Sequence, residues 1–338
     1  MNEQVSLGVI GVGRIGTIHA RNLAFNIPSA NLEAISDPRR DALEECANEC
    51  GGPDTYPDYR DILDRPDLDG VVICSSTDTH ARIIKDAAQA GKHVFCEKPI
   101  ALNLSEIDSA LEVVEDSDIK FQVGLSRRFD PSFQKAQEKI SDGEIGDPHV
   151  LKITSRDPEP PPMDYVKASG GLFVDMTIHD FDMARFVMGE EVEEVYAQGS
   201  VLIEPEIGEV GDVDTAGVVL QFESGALGLI DNSRKASYGY DQRLEVLGGK
   251  GRVKVANPRK TQTEVSDADG STEDSLLHFF TERYKKAYER EMEAFVNCIE
   301  KNDKAPVTGE DGRKAVVLAD AAELSRKENR PVKLSEVS

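Results

Sequence analysis

Three stretches of the chain carry side chains suited to chemistry near neutral pH. In Gly170-Gly171-Leu172-Phe173-Val174-Asp175-Met176-Thr177-Ile178-His179-Asp180-Phe181-Asp182, a helical reading puts Asp175 and His179 one turn apart on one face, with Asp182 on the next turn. A carboxylate beside an imidazole orients the ring and stabilises its charged form, as a general base that takes a proton from an alcohol requires. The same spacing also describes an ordinary surface pair, and spacing alone does not separate the two. A second stretch, Cys96-Glu97-Lys98-Pro99, follows a short apolar run. If that run is a parallel strand, Lys98 sits at its carboxyl end, where such sheets place ligands, with Pro99 fixing the chain so that the lysine enters a cleft. A surface cap is the equally simple alternative. The third stretch is Gly11-Val12-Gly13-Arg14-Ile15-Gly16.

That glycine pattern is weak alone, but it follows an apolar strand, Val5–Ile10, and opens a helix reaching Phe25. In this context Gly11 makes the tight turn, Gly13 lets backbone approach a pyrophosphate, and Gly16 lets the helix pack closely. Asp37 ends the second strand about twenty positions beyond Gly16, where an acidic residue accepts the hydroxyls of an adenosine ribose. Its charge repels a 2′-phosphate, which favours NAD. Arg39 and Arg40 beside it keep NADP open, and Arg14 in the loop is a further possible phosphate contact. Asp37 could also simply start the turn at Pro38.

The elements that must position these groups change character along the chain. Strand-like runs at residues 5–10, 32–36, 70–74, 93–96 and 121–124 alternate with helical patterns, which predicts a doubly wound parallel sheet. From about Val150 the strands crowd together, at 151–155, 195–201, 216–222, 227–232, 244–247 and 252–255, several joined by turn dipeptides such as Ser224-Gly225 and Gly248-Gly249. One helix over 172–188 precedes most of them, and two, at 276–300 and 309–327, follow. The fold class expected is therefore α/β plus α+β: a Rossmann domain over residues 1–124 and a second domain over 125–338 on an open, mainly antiparallel sheet. Whether the C-terminal helix packs back on the first domain stays open.

Composition limits the function. The 338 residues include 63 acidic and 39 basic side chains, a net charge of −24, which argues against nucleic acid as a partner. A solvated acidic surface explains the excess. Adaptation to concentrated salt, which screens self-repulsion, is the sharper reading, separable by whether the melting temperature climbs between low and molar salt. No apolar run reaches membrane length and the first residues lack a signal pattern, so a cytoplasmic protein off the membrane is expected. Five cysteines, Cys46, Cys50, Cys74, Cys96 and Cys298, read as reduced thiols, and no metal is expected.

The glycine loop, Glu97-Lys98-Pro99 and Asp175-x-x-x-His179 together resemble the glucose–fructose oxidoreductase/inositol dehydrogenase (Gfo/Idh/MocA) family. The resemblance spans nearly the whole chain and extends to 122–131, 170–185 and 280–288. It implies an NAD-dependent dehydrogenase for a secondary alcohol of a cyclic polyol, with myo-inositol oxidised to its 2-keto product as the most specific reading. An aldose, another inositol isomer, or a non-catalytic cofactor-binding regulator are the alternatives. The implied catalytic set is Lys98, Asp175 and His179. Gly11, Gly13, Arg14, Ile15, Gly16, Asp37, Arg39, Ser75, Thr77, His80, Glu97 and Lys98 are the cofactor candidates. Arg128, Asp157, Asp182, Tyr240 and Tyr284 join the catalytic three as candidates for the other hydroxyls. The resemblance further implies a homodimer or homotetramer formed through the open sheet.

Overall fold

The apolar runs of the first third form six parallel strands: β1 (Val5–Ile10), β2 (Ala30–Ser36), β3 (Asp54–Tyr56), β4 (Gly70–Ile73), β5 (His93–Glu97) and β6 (Phe121–Gly124). Their order is β3-β2-β1-β4-β5-β6, the doubly wound arrangement whose ligand crevice lies where the strand order reverses, between β1 and β4. Every residue of β4 and β6 is buried, as expected of strands covered on both faces. The connecting helices are α1 (Arg14–Phe25), α2 (Arg40–Glu49), α3 (Tyr59–Leu63), α4 (Thr77–Gln89) and α5 (Leu104–Glu115). β3 and α3 escape a reading of periodicity because they are short, and two of the three β3 residues are exposed.

The computed structural model describes residues 4–337, which fall into two compact units. The first runs to Phe129 and also takes Lys286–Val316; the second is Asp130–Lys285 with the chain from Val317 onward. Residues 286–316 thus sit with the Rossmann strands, whereas a boundary at 124/125 assigns them to the second domain. The reason is packing: Met292, Phe295 and Val296 are fully buried in one apolar core with Val9, Leu23 and Phe95. Backbone and polar contacts fix the segment further. The Val123 N–H donates to the Val307 carbonyl (3.2 Å), and Arg313 pairs with Asp108 (2.5 Å).

In the second unit, β7 (Pro148–Arg156), β8 (Val192–Ser200), β9 (Thr215–Phe222), β10 (Leu227–Ser233), β11 (Asp241–Gly248), β12 (Gly251–Val255) and the short Val332–Lys333 strand form one sheet. All its pairings are antiparallel except β7 with β10, in line with a mainly antiparallel sheet. Burial alternates along β9, so one face is covered and the other is open. A separate exposed hairpin, 264–267 with 270–273, carries almost no apolar residues and therefore has no hydrophobic signature in the sequence. The helix expected over 172–188 is present in two parts: a π-helical turn at Phe173–Thr177, then α-helix from Ile178 to Met188.

Candidate active site

The dinucleotide loop is built by close approach. Gly11 has φ +88° and a Cβ there would lie 2.5 Å from the Ser75 nitrogen; at Gly16 it would lie 1.8 Å from the Gly11 carbonyl oxygen. No side chain larger than hydrogen fits at either position. A Cβ at Gly13, by contrast, would meet nothing within 4 Å, which leaves open space over the helix entrance. The helical ladder begins with the Thr17 N–H donating to the Gly13 carbonyl (2.9 Å), and no side chain caps the N-terminus of α1. Its first-turn N–H groups and dipole are thus suited to a pyrophosphate, with Arg14 exposed and Ile15 half-buried beside it.

Asp37 closes β2 directly beside this loop. Its carboxylate accepts from the Val12 N–H (3.0 Å), the Arg39 N–H (3.0 Å), and Arg39 Nε and Nη2 (each 2.9 Å). Burial works against the charge, but these donors outweigh it and hold the carboxyl below its usual range. Asp37 is therefore an ionised acceptor tied to the glycine turn, and Arg39 is held by it. With Asp37 in the ribose-accepting role expected of its position, Asp37→Ser would remove a charge-assisted hydrogen bond, about 1.5–3 kcal/mol, and would free Arg39 for a 2′-phosphate. The expected result is a kcat/KM for NAD lower by roughly 10- to 100-fold together with a gain for NADP. Saturation curves with the two cofactors check it, and an unchanged preference would overturn the role.

Ser75 and Thr77 begin the loop and helix after β4, and the Ser75 hydroxyl lies 2.6 Å from that of Thr79. His80 is a further cofactor candidate. It is buried, with Nδ1 2.9 Å from the Pro99 carbonyl and Nε2 3.0 Å from the Ser75 carbonyl. Burial lowers its basicity against the pull of those carbonyls. Both nitrogens face main chain, so His80 ties the β4 loop to the turn after Lys98. That turn contains a cis Lys98–Pro99 bond, and Lys98 itself is half-buried. Glu97, at the end of β5, receives His19 Nε2 at 2.9 Å.

In the second unit, Asp175 and His179 share one edge. From Leu172 to Arg185 every residue is buried except these two. Asp212 fixes the start of the segment by accepting the Leu172 N–H (2.9 Å). Thr177 and Asp180 anchor it through Asn232, which accepts from the Thr177 hydroxyl (2.7 Å) and donates to Asp180 (2.8 Å). Two residues that spacing does not single out bond to Asp175. Tyr165 donates its hydroxyl to Oδ1 (2.7 Å), and Arg234, 1% exposed, donates from Nη1 to Oδ2 (3.1 Å). Burial, with the Asp175 charge beside it, pushes the Tyr165 phenol up, so it is a neutral donor.

The proposed hydroxyl-holding residues divide. Asp157 is half-buried just past β7, its N–H donating to the Ser233 carbonyl (2.9 Å). Tyr240 and Tyr284 meet edge to face with centroids 6.1 Å apart, but both are buried, and so is Asp182 at 1% exposure. Arg128 lies in the first unit, where Nη2 donates to Asp311 (2.9 Å). Among the described residues, no helix is long and apolar enough to cross a membrane.

Comparison with known proteins bears on both halves. Residues 5–125 match the oxidoreductase family with an NAD-binding Rossmann fold, and residues 133–254 match the GFO/IDH/MocA C-terminal domain. The chain is 53% identical to the myo-inositol 2-dehydrogenase of Thermotoga maritima, over 98% of this chain and 99% of that one. It is 46% identical to an inositol 2-dehydrogenase of Rhizobium meliloti, over 98% and 99%. Among solved structures, scyllo-inositol dehydrogenase from Lactobacillus casei with bound NAD(H) and scyllo-inositol superposes with a TM-score of 0.92. That protein is 33% identical, over 98% of this chain and 100% of that one. The cofactor that fits the loop and Asp37 is NAD. A glycine turn that admits no side chain, a second unit with its own family match, and relatives aligned end to end lead to one conclusion: this chain belongs to the Gfo/Idh/MocA family of oxidoreductases.

Proposed function

We propose that the protein oxidises a secondary hydroxyl of a cyclic polyol with NAD, converting myo-inositol to its 2-keto product. The observation that carries the reading is that Asp175 and His179, four positions apart, are the two residues between Leu172 and Arg185 that are not buried. Relatives of 46% and 53% identity named for this activity support the choice of substrate.

His179 removes the hydroxyl proton. Asp175, supplied with a cation by Arg234 and a hydrogen bond by Tyr165, orients the imidazole and balances the charge that the ring gains. Lys98 donates a hydrogen bond to the reacting oxygen and stabilises developing alkoxide character. Bound NAD supplies the hydride acceptor for the same carbon. Of the four further hydroxyl-holding candidates in the second unit, Asp157 is the one that is not buried, and it is assigned one of the remaining hydroxyls. scyllo-Inositol is the second reading, favoured by the relative crystallised with it. The two differ in the orientation of one hydroxyl.

A panel of myo-inositol, scyllo-inositol and aldoses, assayed by NADH absorbance, tests the proposal. The largest kcat/KM is expected with myo-inositol. A larger value with an aldose, or turnover of none, would refute it. The proposal includes a homo-oligomer formed through the open face of the sheet. There Val219 and Leu229 are cross-strand partners, each 39% exposed, and Leu227 is 43% exposed. Light scattering that returns a monomer rejects that part.

A further inference from the structure

Beneath the glycine loop lies a polar cluster with no part in the reaction described above. His19, on the buried side of α1, places Nε2 2.9 Å from Glu97 Oε1 and 3.8 Å from Glu291 Oε1. Glu291 comes from the Lys285–Glu300 helix, held in front of β6 by Gln122, whose Nε2 donates to its carbonyl (3.0 Å). His19 and Glu291 are fully buried, and Glu97 keeps 14% exposure. The His19 ring is wedged edge-on between Phe95 and Tyr288, at centroid distances of 5.2 and 5.8 Å. Gly124, paired with Glu97 across the sheet, leaves room for the carboxylate, since a Cβ there would lie 3.1 Å from Glu97 Cδ.

The hydrogen-bond accounting assigns the protons. Both Glu291 oxygens and His19 Nδ1 are buried without a hydrogen-bond partner. An ionised carboxylate in that position would be desolvated, unpaired and next to the Glu97 charge, the costliest of the available states. The thiol of Cys74 faces both carboxylates and that of Cys96 faces Glu97, and burial keeps both thiols protonated. His19 is the basic group within ion-pair distance, and its Nε2 already faces Glu97 at hydrogen-bond length. An imidazolium would add a second N–H at Nδ1, where no acceptor exists.

We propose that Glu291 is held protonated beneath the loop, so that a neutral His19 donates its Nε2 proton to an ionised Glu97 and thereby positions the Glu97–Lys98 segment. Burial and the Glu97 charge both push the Glu291 carboxyl well above its ordinary range, in the same direction. His19 is a positioning residue: it acts on the lysine through Glu97, from the same helix whose uncapped N-terminus would take the pyrophosphate. The role rests on the place given to Lys98 above, whereas the protonation of Glu291 does not.

Two measurements test the two parts. Because the folded-state carboxyl of Glu291 is raised, the folded protein keeps a proton that the unfolded chain loses above ~pH 4.5. Wild-type stability therefore falls as pH climbs from there toward the folded-state value. Glu291→Gln keeps the shape without the titration. With neither substrate nor NAD present, its melting temperature should match wild type near ~pH 4 and exceed it by roughly 4 °C or more at ~pH 8. A gap that does not change with pH overturns the protonated state. So does one equivalent of firmly bound divalent metal in protein purified without chelator, because the three side chains would then be ligands. For positioning, His19→Leu should lower kcat about tenfold and leave KM for NAD within about twofold. His19→Gln, whose amide can donate from near the Nε2 position, should recover most of the loss. Unchanged kcat in His19→Leu, or no difference between the two variants, rejects the positioning role. If the leucine variant does not fold, the same criterion is applied to His19→Gln against His19→Met.

Discussion

Replacing His179 with alanine is expected to lower kcat for polyol oxidation by about 10²- to 10⁴-fold, the range general-base catalysis ordinarily supplies. The affinity for NAD should stay within about twofold, because an interaction used only at the reacting hydroxyl leaves cofactor binding alone. The residues proposed to hold NAD, Gly11, Gly16 and Asp37 among them, belong to the other compact unit. The site is also one where a truncation is tolerated: His179 is half-buried, on the edge of a segment whose remaining residues to Arg185 are buried except for Asp175. The fold should therefore survive. Steady-state kinetics with the best substrate of the panel, alongside NAD titration by fluorescence, give the two numbers. A kcat within fivefold of wild type would remove His179 from the mechanism.

The second large effect concerns a residue with no direct part in proton transfer. Arg234 is buried to 1% exposure and gives Asp175 a cation at 3.1 Å, while its own N–H donates to the Asp214 carbonyl (2.8 Å). Arg234→Met fills similar volume but removes the cation beside Asp175, which keeps the Tyr165 hydroxyl. Removing one partner from a buried pair costs about 3–5 kcal/mol, and the low end applies here because Asp175 keeps some solvent access. For a unit of this size that is a fall in melting temperature of about 6–12 °C, and kcat should fall as well because the imidazole loses a firmly placed partner. The cause can be isolated. If the penalty comes from an uncompensated carboxylate, then Asp175→Asn in the Arg234→Met background should restore about half of the lost stability or more, although Asp175→Asn alone destabilises. Calorimetry of the four proteins measures the coupling. An additive result would mean that Arg234 matters only for packing.

The acidic composition, the glycine turn, the parallel sheet and the placing of Asp175 and His179 one turn apart all follow from short-range pattern. Strand and helix periods are local, a loop of Gly-x-Gly-x-x-Gly is six residues long, and residues four apart on a helix share a face whatever surrounds them. Even the π-helical turn at Phe173–Thr177, which the period of 3.6 does not anticipate, leaves that shared edge intact. Spacing carries no sign of the partners of His80. Only the fold shows its ring turned to the carbonyls of Ser75 and Pro99.

What tertiary structure alone decided is a matter of contacts between residues far apart in the chain. Arg234 reaches Asp175 across 59 positions, from a loop after β10 that carries no sign of its partner. Residues 286–316 read as part of the later domain because the chain places them there. They join the Rossmann strands because Phe295, Val296 and Met292 fill a gap in that core, and burial of apolar surface is indifferent to sequence order. The same helix delivers Glu291 to His19 and Glu97, three residues from three elements, none of which signals the others. Sequence thus determined which chemistry the chain could carry, since residue type and local spacing are written in it. The fold determined how each charge is compensated, because a buried charge takes its partner from whatever the folded chain brings beside it.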